Sequence, residues 1–505
     1  MKTRGTRWAA ALGVALGGAA VTAGMARTQA AAPAAQPAAQ PAAPATQPAA
    51  PAAQTAAVST AGGPLQGQAD AIVPNKDEWT IMAYSLDRNE TLFAINANKP
   101  MVPASNNKVY SAIWALSALG PDYRFPTDLL INGTIQNGVL QGDVVIRGSG
   151  DPGFGYPRYE KDNIDPLRVM ARRLKQLGIN QVTGSVIGDA TIHDQQNYGP
   201  GWPLDTGMGA AHYAPTVSGL PYQRNMLWVE PNGQGPNGFV LHPDVPEIPV
   251  VWQSRGGRGY AVRRPEQDTV RLRGGIGRPG TRFPVGAFEP ALLAPAALRQ
   301  AMREAGIQVN GAVKLQRTPR GSKLAHRHLS LTVADMVPQL NQHSDNFFAE
   351  HFWKAAVAKS TGKGTYTGGG AASANFFHRQ AGVPFGQLWQ ADGSGLSNQN
   401  RTSAQALVMA LRYADRAPYS KVFHESLAVA ADPKGTMKRM FNGTPAAGNL
   451  HAKTGYIRQV RSLSGYVNSA SGERIVFSMI YNGRNTSGAR GVQVSLGNLM
   501  ASYRR

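Results

Sequence analysis

Three short groups of residues, in this chain order, could together carry out acyl transfer: Ser105-Asn106-Asn107-Lys108, Ser344-Asp345-Asn346 and Lys453-Thr454-Gly455. A serine hydroxyl is a poor nucleophile until a base takes its proton. Lys108 lies three residues beyond Ser105. On a helix, positions i and i+3 share a face, so amine and hydroxyl can meet. A lysine serves as a base near neutral pH only when burial or a neighbouring positive charge lowers its pKa. Lys453 is the candidate for that charge. Ser344 can relay a proton, and Asn346 can donate or accept hydrogen bonds without adding charge. Lys453 and Thr454 suit a substrate carboxylate, and Gly455 lets substrate backbone come close to a strand edge. The set describes a serine nucleophile with lysine, rather than histidine, as its proton carrier.

Order and context separate this set from coincidence. About one S-x-x-K is expected by chance in a chain of this length at average residue usage. A second one is present, Ser360-Thr361-Gly362-Lys363. It follows the Ser-Asp-Asn group and runs into a Gly-rich stretch, so it is rejected as the nucleophile. Ser-Asp-Asn and Lys-Thr-Gly are each expected roughly 0.1 times, and all three groups in order are specific. The separations are 344 − 105 = 239 and 453 − 344 = 109 residues. The first is long enough to hold a whole extra domain. His343 and His451 flank two of the groups, but a lone histidine beside a motif is more often structural. No HExxH or other dense metal-ligand pattern occurs, so neither metal nor cofactor is implied.

The wider context resembles a known family. Pro103-Ala104-Ser105-Asn106-Asn107-Lys108 looks like the P-A-S-x-x-K of penicillin-binding proteins. Ser344-Asp345-Asn346 is followed by Phe347-Phe348-Ala349-Glu350. Asp392-Gly393-Ser394-Gly395-Leu396-Ser397 with Asn400-Arg401 resembles the D-G-S-G-L-S…N-R run of one subgroup, and Gly148-Ser149-Gly150-Asp151-Pro152 its G-x-G-D-P. That subgroup is the class C low-molecular-mass penicillin-binding proteins, the D-alanyl-D-alanine carboxypeptidase/endopeptidase family. The resemblance runs from about residue 70 to the C-terminus.

The resemblance implies that Ser105 is the acylated nucleophile and Lys108 its general base. It implies that Ser344 and Asn346 assist proton transfer and bind substrate amide, and that Lys453 and Thr454 hold the terminal carboxylate of D-alanine. The backbone N–H groups of Ser105 and Tyr456 would form the oxyanion hole. Substrates would be peptidoglycan stem peptides, and β-lactams would acylate the same serine. Carboxypeptidase and endopeptidase action use the same residues, so sequence does not separate them. Tyr456 is a departure: many relatives carry Thr or Ser there, which bears on substrate preference and not on reaction class. Two other readings compete. A class A β-lactamase would show an E-x-x-L-N pattern between the second and third groups; none is present, and Glu425 lacks the following Leu-Asn. A non-catalytic wall-binding scaffold would not need the intact motif set.

The elements that must position these groups can be read from pattern and punctuation. Trp79 to Leu86 and Glu90 to Ile95 read as strands across the turn Asp87-Arg88-Asn89. Val109 to Leu119 continues as a helix from the S-x-x-K. Val460 to Asn468 and Arg474 to Asn482 read as strands, with Lys453 on the strand before them, and 491–504 as a terminal helix. The resemblance and these elements give an α+β class: a penicillin-binding-protein/β-lactamase-like transpeptidase domain, an antiparallel sheet packed with helices. It would be assembled from 70–125 and 320–505 and split by an α+β insertion, 126–319. The insertion carries a repeated pattern of helix, glycine C-cap and strand. One copy runs from Asp165-Pro166 through Gly178 to Val182 and Val186. The other runs from Leu298 through Gly306 to Val309 and Val313.

Composition places the chemistry. Lys2, Arg4 and Arg7 precede a small-residue apolar stretch, Ala9 to Ala26, and Thr28-Gln29-Ala30 is a candidate cleavage site. Residues 1–30 therefore read as a secretory signal peptide, and localisation as exported, to the periplasm or cell envelope. Residues 31–69 repeat Ala, Pro and Gln and read as a flexible tether. The chain has no cysteine, which removes disulfides and thiol catalysis. The formal charge is +21, and loss of Lys2, Arg4, Arg7 and Arg27 would leave 21 − 4 = +17. Such a charge favours anionic surroundings such as cell-wall polymers or acidic membrane surfaces. No nucleic-acid module accompanies it.

Overall fold

The computed structural model describes residues 58–505 except 161–164, 203–212, 232–238, 246–249, 255–259, 263–269 and 274–281. The segments expected to be a signal peptide and, for the most part, a tether lie outside the described residues. Both ends of the described chain meet in one antiparallel sheet. Its order is Ala428–Val429, His451–Ile457, Val460–Asn468, Arg474–Asn482, Trp79–Ser85, Glu90–Ile95. Trp79–Ser85 sits between two partners and every residue in it is buried. Its side chains alternate between two cores, as period 2 requires. Ile81 and Ala83 join Leu496 and Met500 of the terminal helix. Met82 and Tyr84 join Ile113, Phe348 and Leu411 on the opposite face. Each large apolar side chain removed from water in this way contributes about 1.5–3 kcal/mol.

The helix Asn107–Ala118 is buried from Asn107 to Leu116. It is apolar nearly all round, which marks a central helix. Helices Val333–Asn341, Asn346–Thr361, Tyr366–Ala381 and Ala404–Arg416 contribute to the core around it. Asp345 caps the second of these by accepting from the N–H groups of Phe347 and Phe348.

A second sheet lies between the first and second chemical groups. Arg124–Gln136 and Val139–Arg147 form a hairpin across Asn137-Gly138, both with positive φ, as a type I′ turn demands. Helices Pro166–Gln176 and Leu293–Glu304 lie together. The strands that follow them pair in parallel, Gln308 with Gln181 and Val313 with Val186, at the constant separation 308 − 181 = 313 − 186 = 127 residues. The two copies of the repeat thus stand side by side. Two small three-stranded sheets complete this region.

Three boundaries differ from the sequence expectation. Lys323–Thr332, expected with the catalytic part, pairs with Arg124–Gln136 and belongs to the second sheet. Leu65 and Ala69, expected in the tether, are fully buried around the helix Gln66–Ile72; a short apolar pair amid Gln and Gly gave no periodic signal. The terminal helix spans Thr486–Ser502 and starts early because Asn485 accepts from the N–H of Gly488 at 2.9 Å. Among the described residues no helix is long and apolar enough to cross a membrane.

Candidate active site

Ser105 sits in a single 3-10 turn, Ala104–Asn106, that feeds the central helix. Ala104 has φ 48, a left-handed conformation costing an alanine about 1–2 kcal/mol. Its surroundings hold the turn there. Ser462 Oγ donates to the Pro103 carbonyl at 2.6 Å, Asn106 Nδ2 donates to the Lys453 carbonyl at 2.8 Å, and Ser464 Oγ donates to Asn106 Oδ1 at 2.5 Å. From the other side, Gly395 approaches so closely that a Cβ there would fall 1.9 Å from the Ala104 oxygen. Strained backbone of this kind persists where neighbours over-determine it, commonly at functional sites.

Lys108 is fully buried and its Nζ has three acceptors: Ser105 Oγ at 2.9 Å, Asn346 Oδ1 at 2.6 Å and the Ser394 carbonyl at 2.6 Å. When the amine is neutral, its two N–H bonds are satisfied by Asn346 and Ser394, which leaves the lone pair for the Ser105 hydroxyl. Burial pulls the Lys108 pKa down to about 8, against the opposing pull of Asp392, Glu350 and Asp345. Asn346 is itself oriented, its Nδ2 donating to the Tyr213 carbonyl at 2.6 Å.

The opposite wall is the strand His451–Ile457. The strand Ala428–Val429 pairs with it only at His451 and Ala452, so Lys453 to Ile457 present an open edge. Lys453 Nζ donates to Ser344 Oγ at 2.8 Å and to the Thr454 carbonyl at 2.7 Å. Burial, and then the Lys108 charge, hold its pKa well below the usual lysine value. Thr454 Oγ1 donates to Thr436 Oγ1 at 2.8 Å. Gly455 was expected to admit substrate backbone. The structure adds a second reason: a Cβ there would lie 2.1 Å from Ser462 Oγ and 2.9 Å from the Ser105 nitrogen. Only glycine lets this strand reach the Ser105 turn. Tyr456 is 58% exposed.

The candidate catalytic and substrate-binding residues meet here. Ser105, Ser344, Asn346, Thr454, Gly455 and Tyr456 line a cavity of about 630 Å³, with Lys108 and Lys453 bonded into its base. The cavity continues past Tyr213, Leu396 and Ile457 into a second space of about 960 Å³. Ser360 lies on the exposed end of its helix, bonded to the Ala356 carbonyl. His343 lines the cavity, whereas His451 stacks on His424 at 4.5 Å.

Sequence reasoning missed the residues that hold the second group in place. Arg224 forms a two-pronged ion pair with Asp345, at 2.8 and 3.1 Å. It projects from a turn in which Gln223, Arg224 and Asn225 all have positive φ, and no motif advertises it. Ser344 also has φ 57. Burial pushes the Asp345 carboxyl up, but the Arg224 charge and the hydrogen bonds from Arg224, Gln339 and the Phe348 N–H together hold it below the usual carboxylate range. Glu350 and Asp392 were quoted as family words, but their work is visible only in three dimensions. Glu350 accepts from the Ser394 N–H at 2.7 Å and so fixes the backbone of the residue whose carbonyl accepts from Lys108. Burial, then Asp392, raises its pKa to about 7. Asp392 accepts from Trp202 Nε1 at 2.8 Å, which ties the inserted region to this loop.

The D-Ala-D-Ala carboxypeptidase 3 (S13) family matches residues 65–503. The chain is 25% identical over 427 residues to the D-alanyl-D-alanine carboxypeptidase DacB of Haemophilus influenzae, covering 82% of this chain and 87% of that one. The crystal structure of penicillin binding protein 4 (dacB) from Haemophilus influenzae superposes with TM-score 0.71 at 24% identity, over 86% of this chain and 99% of that chain. The same protein complexed with a β-lactam superposes with TM-score 0.67 at 23% identity and the same coverage. These structures share the fold.

Proposed function

The chain belongs to the D-Ala-D-Ala carboxypeptidase 3 (S13) family and is a serine-type D-Ala-D-Ala carboxypeptidase; from that premise we propose that Ser105 is its nucleophile and Lys108 its general base. The observation that carries this is the buried Lys108 amine 2.9 Å from Ser105 Oγ, with its other two acceptors fixed. Ser105 Oγ attacks the carbonyl of the penultimate D-alanine while its proton passes to Lys108. The oxyanion is held by the backbone N–H groups of Ser105 and Tyr456, a contribution of about 3 kcal/mol per donor. Collapse breaks the peptide bond and expels D-alanine, whose amine takes a proton delivered through Ser344 from the lysines. Water then attacks the acyl-enzyme ester and gives its proton to Lys108, which returns it to Ser105 Oγ as the ester bond breaks and the shortened peptide leaves as its acid. Thr454 and Lys453 receive the terminal carboxylate. Asn346, fixed between Lys108 and Tyr213, binds substrate amide.

The catalytic body is built from residues 58 to about 123 and from 333 onward, and the insertion runs from about 124 to 332. The stem peptides of peptidoglycan are its substrates and the cell envelope its place, readings supported by the family and by the charge pattern of residues 1–30. β-Lactams acylate Ser105, a reading supported by the β-lactam complex of the relative. Labelling with a fluorescent penicillin tests the assignment. Label is expected on the intact protein and on Ser360→Ala, and lost from Ser105→Ala. Undiminished label on Ser105→Ala overturns it.

A further inference from the structure

We propose that the wall of the cleft beyond Thr454 binds a second anionic group, carried by the leaving residue, through Lys438, Arg439, Arg461 and Arg490. The inference rests on the reading above, in which Thr454 receives the terminal carboxylate of that residue.

The argument begins with the placement of four cations. Thr436 bonds to Thr454, and Lys438 and Arg439 follow it along the cavity wall. Arg490, from the terminal helix, donates to the Arg439 carbonyl at 2.5 Å. Arg461 stands opposite Tyr456 in the strand register and lies over the Tyr456 ring, 4.8 Å from its centroid. Its Nε is buried without a partner, and burial together with the nearby Arg490 works against its charge. All four line the cavity that holds Ser105.

None of the four is in an ion pair among the described residues. Elsewhere the basic residues of this chain are often matched. Arg147 and Arg327 share Asp128, Arg303 meets Asp244, and Arg474 meets Asp87 and Asp415. Along the cavity the only carboxylate among the described residues is Asp345, already bonded to Arg224. Like charges gathered in a concave wall repel one another and raise the local concentration of anions. A single D-alanine carboxylate is met by Thr454 and Lys453, so these further charges exceed what that group requires. The space beyond Ile457 is different in kind. It offers Glu78 and the amides of Asn75, Asn398 and Asn485 beside Arg458 and Arg484. Four unpaired cations with no free carboxylate among the described residues therefore mark the leaving-group end, against two arginines beside Glu78 in the other space. A leaving residue with a carboxylate in its side chain is the ligand class that fits.

The test compares peptides ending in D-Ala-D-Ala, D-Ala-D-Gln and D-Ala-D-Glu, with release of the last residue followed on the full chain. D-Gln matches D-Glu in size, so their ratio isolates charge. At about 20 mM ionic strength, kcat/KM for D-Glu should exceed that for D-Gln roughly five- to tenfold, and the ratio should fall toward one at about 0.5 M salt. The double variant Lys438→Ala/Arg490→Ala should also bring the ratio toward one, with penicillin labelling reporting that it is folded. A ratio of one or less in the intact protein overturns the proposal. So does a preference that both salt and the double variant leave unchanged. D-Ala release in the same assay separates the two failures. Its presence with a ratio of one removes only this subsite; its absence removes the carboxypeptidase reading as well.

Discussion

The two walls of the cleft each carry a fully buried lysine bonded to a serine, Lys108 to Ser105 at 2.9 Å and Lys453 to Ser344 at 2.8 Å, yet their surroundings differ. Behind Lys108 lie Asp392, Glu350 and Asp345, whose negative charges oppose the effect of burial and leave its pKa at about 8. Among the described residues no such carboxylate acts on Lys453; burial lowers its pKa and the Lys108 charge depresses it further. Residue type is the same; the neighbourhood divides the labour. One wall keeps an amine close to its working pH and aims it at a hydroxyl. The other is short of negative charge, opens along a strand edge and is suited to receive an anion.

The largest expected effect comes from the lysines themselves. Lys108→Ala should slow acylation by penicillin about 10²–10⁴-fold, the usual worth of a positioned base. Lys453→Ala should act mainly on substrate binding and raise KM. Equal losses of acylation rate in the two variants would break the comparison, because the walls would then share the base. Stopped-flow acylation alongside steady-state D-alanine release separates the outcomes.

Next in size is the ion pair beneath the second group. Arg224→Ala leaves Asp345 buried without its partner, a change that costs about 3 kcal/mol in such pairs. Thermal unfolding should show a clearly lowered midpoint, with slower acylation because Ser344 and Asn346 flank the loosened residue. Unaltered acylation in the folded fraction would mean that Asn346 is positioned by Lys108 and Tyr213 alone.

The pH profile sharpens the comparison further. The base must be neutral, and the neutral fraction of Lys108 rises with pH through about 8. Acylation should therefore climb between about pH 7 and 9. Glu350 is ionised above about 7 and its charge holds the Lys108 proton. Glu350→Gln should move the rising limb to lower pH. An unmoved limb would show that Glu350 orients the Ser394 backbone without tuning the amine.

The smallest effect is expected at Tyr456. Its side chain is exposed, and Arg461 lies over its ring. Tyr456→Thr should change KM a few-fold and leave the acylation limit of kcat intact, since the proposed oxyanion donor there is the backbone N–H. A large fall in kcat would make the ring part of the reacting centre.

The strands Glu90–Ile95, Val460–Asn468 and Arg474–Asn482 were legible because alternation and turn residues are local properties of the chain. So was the Asp165-Pro166 start of a helix, where the cap bonds the Leu167 N–H at 3.0 Å. The strand Lys323–Thr332 was not. It reads equally well as a strand of either region, and only its register with Arg124–Gln136 assigns it.

The sequence by itself determined the candidate reacting set, because S-x-x-K, S-D-N and K-T-G combine rare residue orders with a chemistry that tolerates few substitutes. It pointed to Lys108 as the base by spacing and resemblance, but not to what tunes that amine, because Glu350 and Asp392 lie 242 and 284 residues from Lys108 (350 − 108 and 392 − 108). Arg224, the Tyr213 carbonyl and the Lys438–Arg490 cluster were likewise settled only by folding. Electrostatic and hydrogen-bonding partners are chosen by distance in space, and a strained turn or an unpaired cation leaves no periodic trace along the chain.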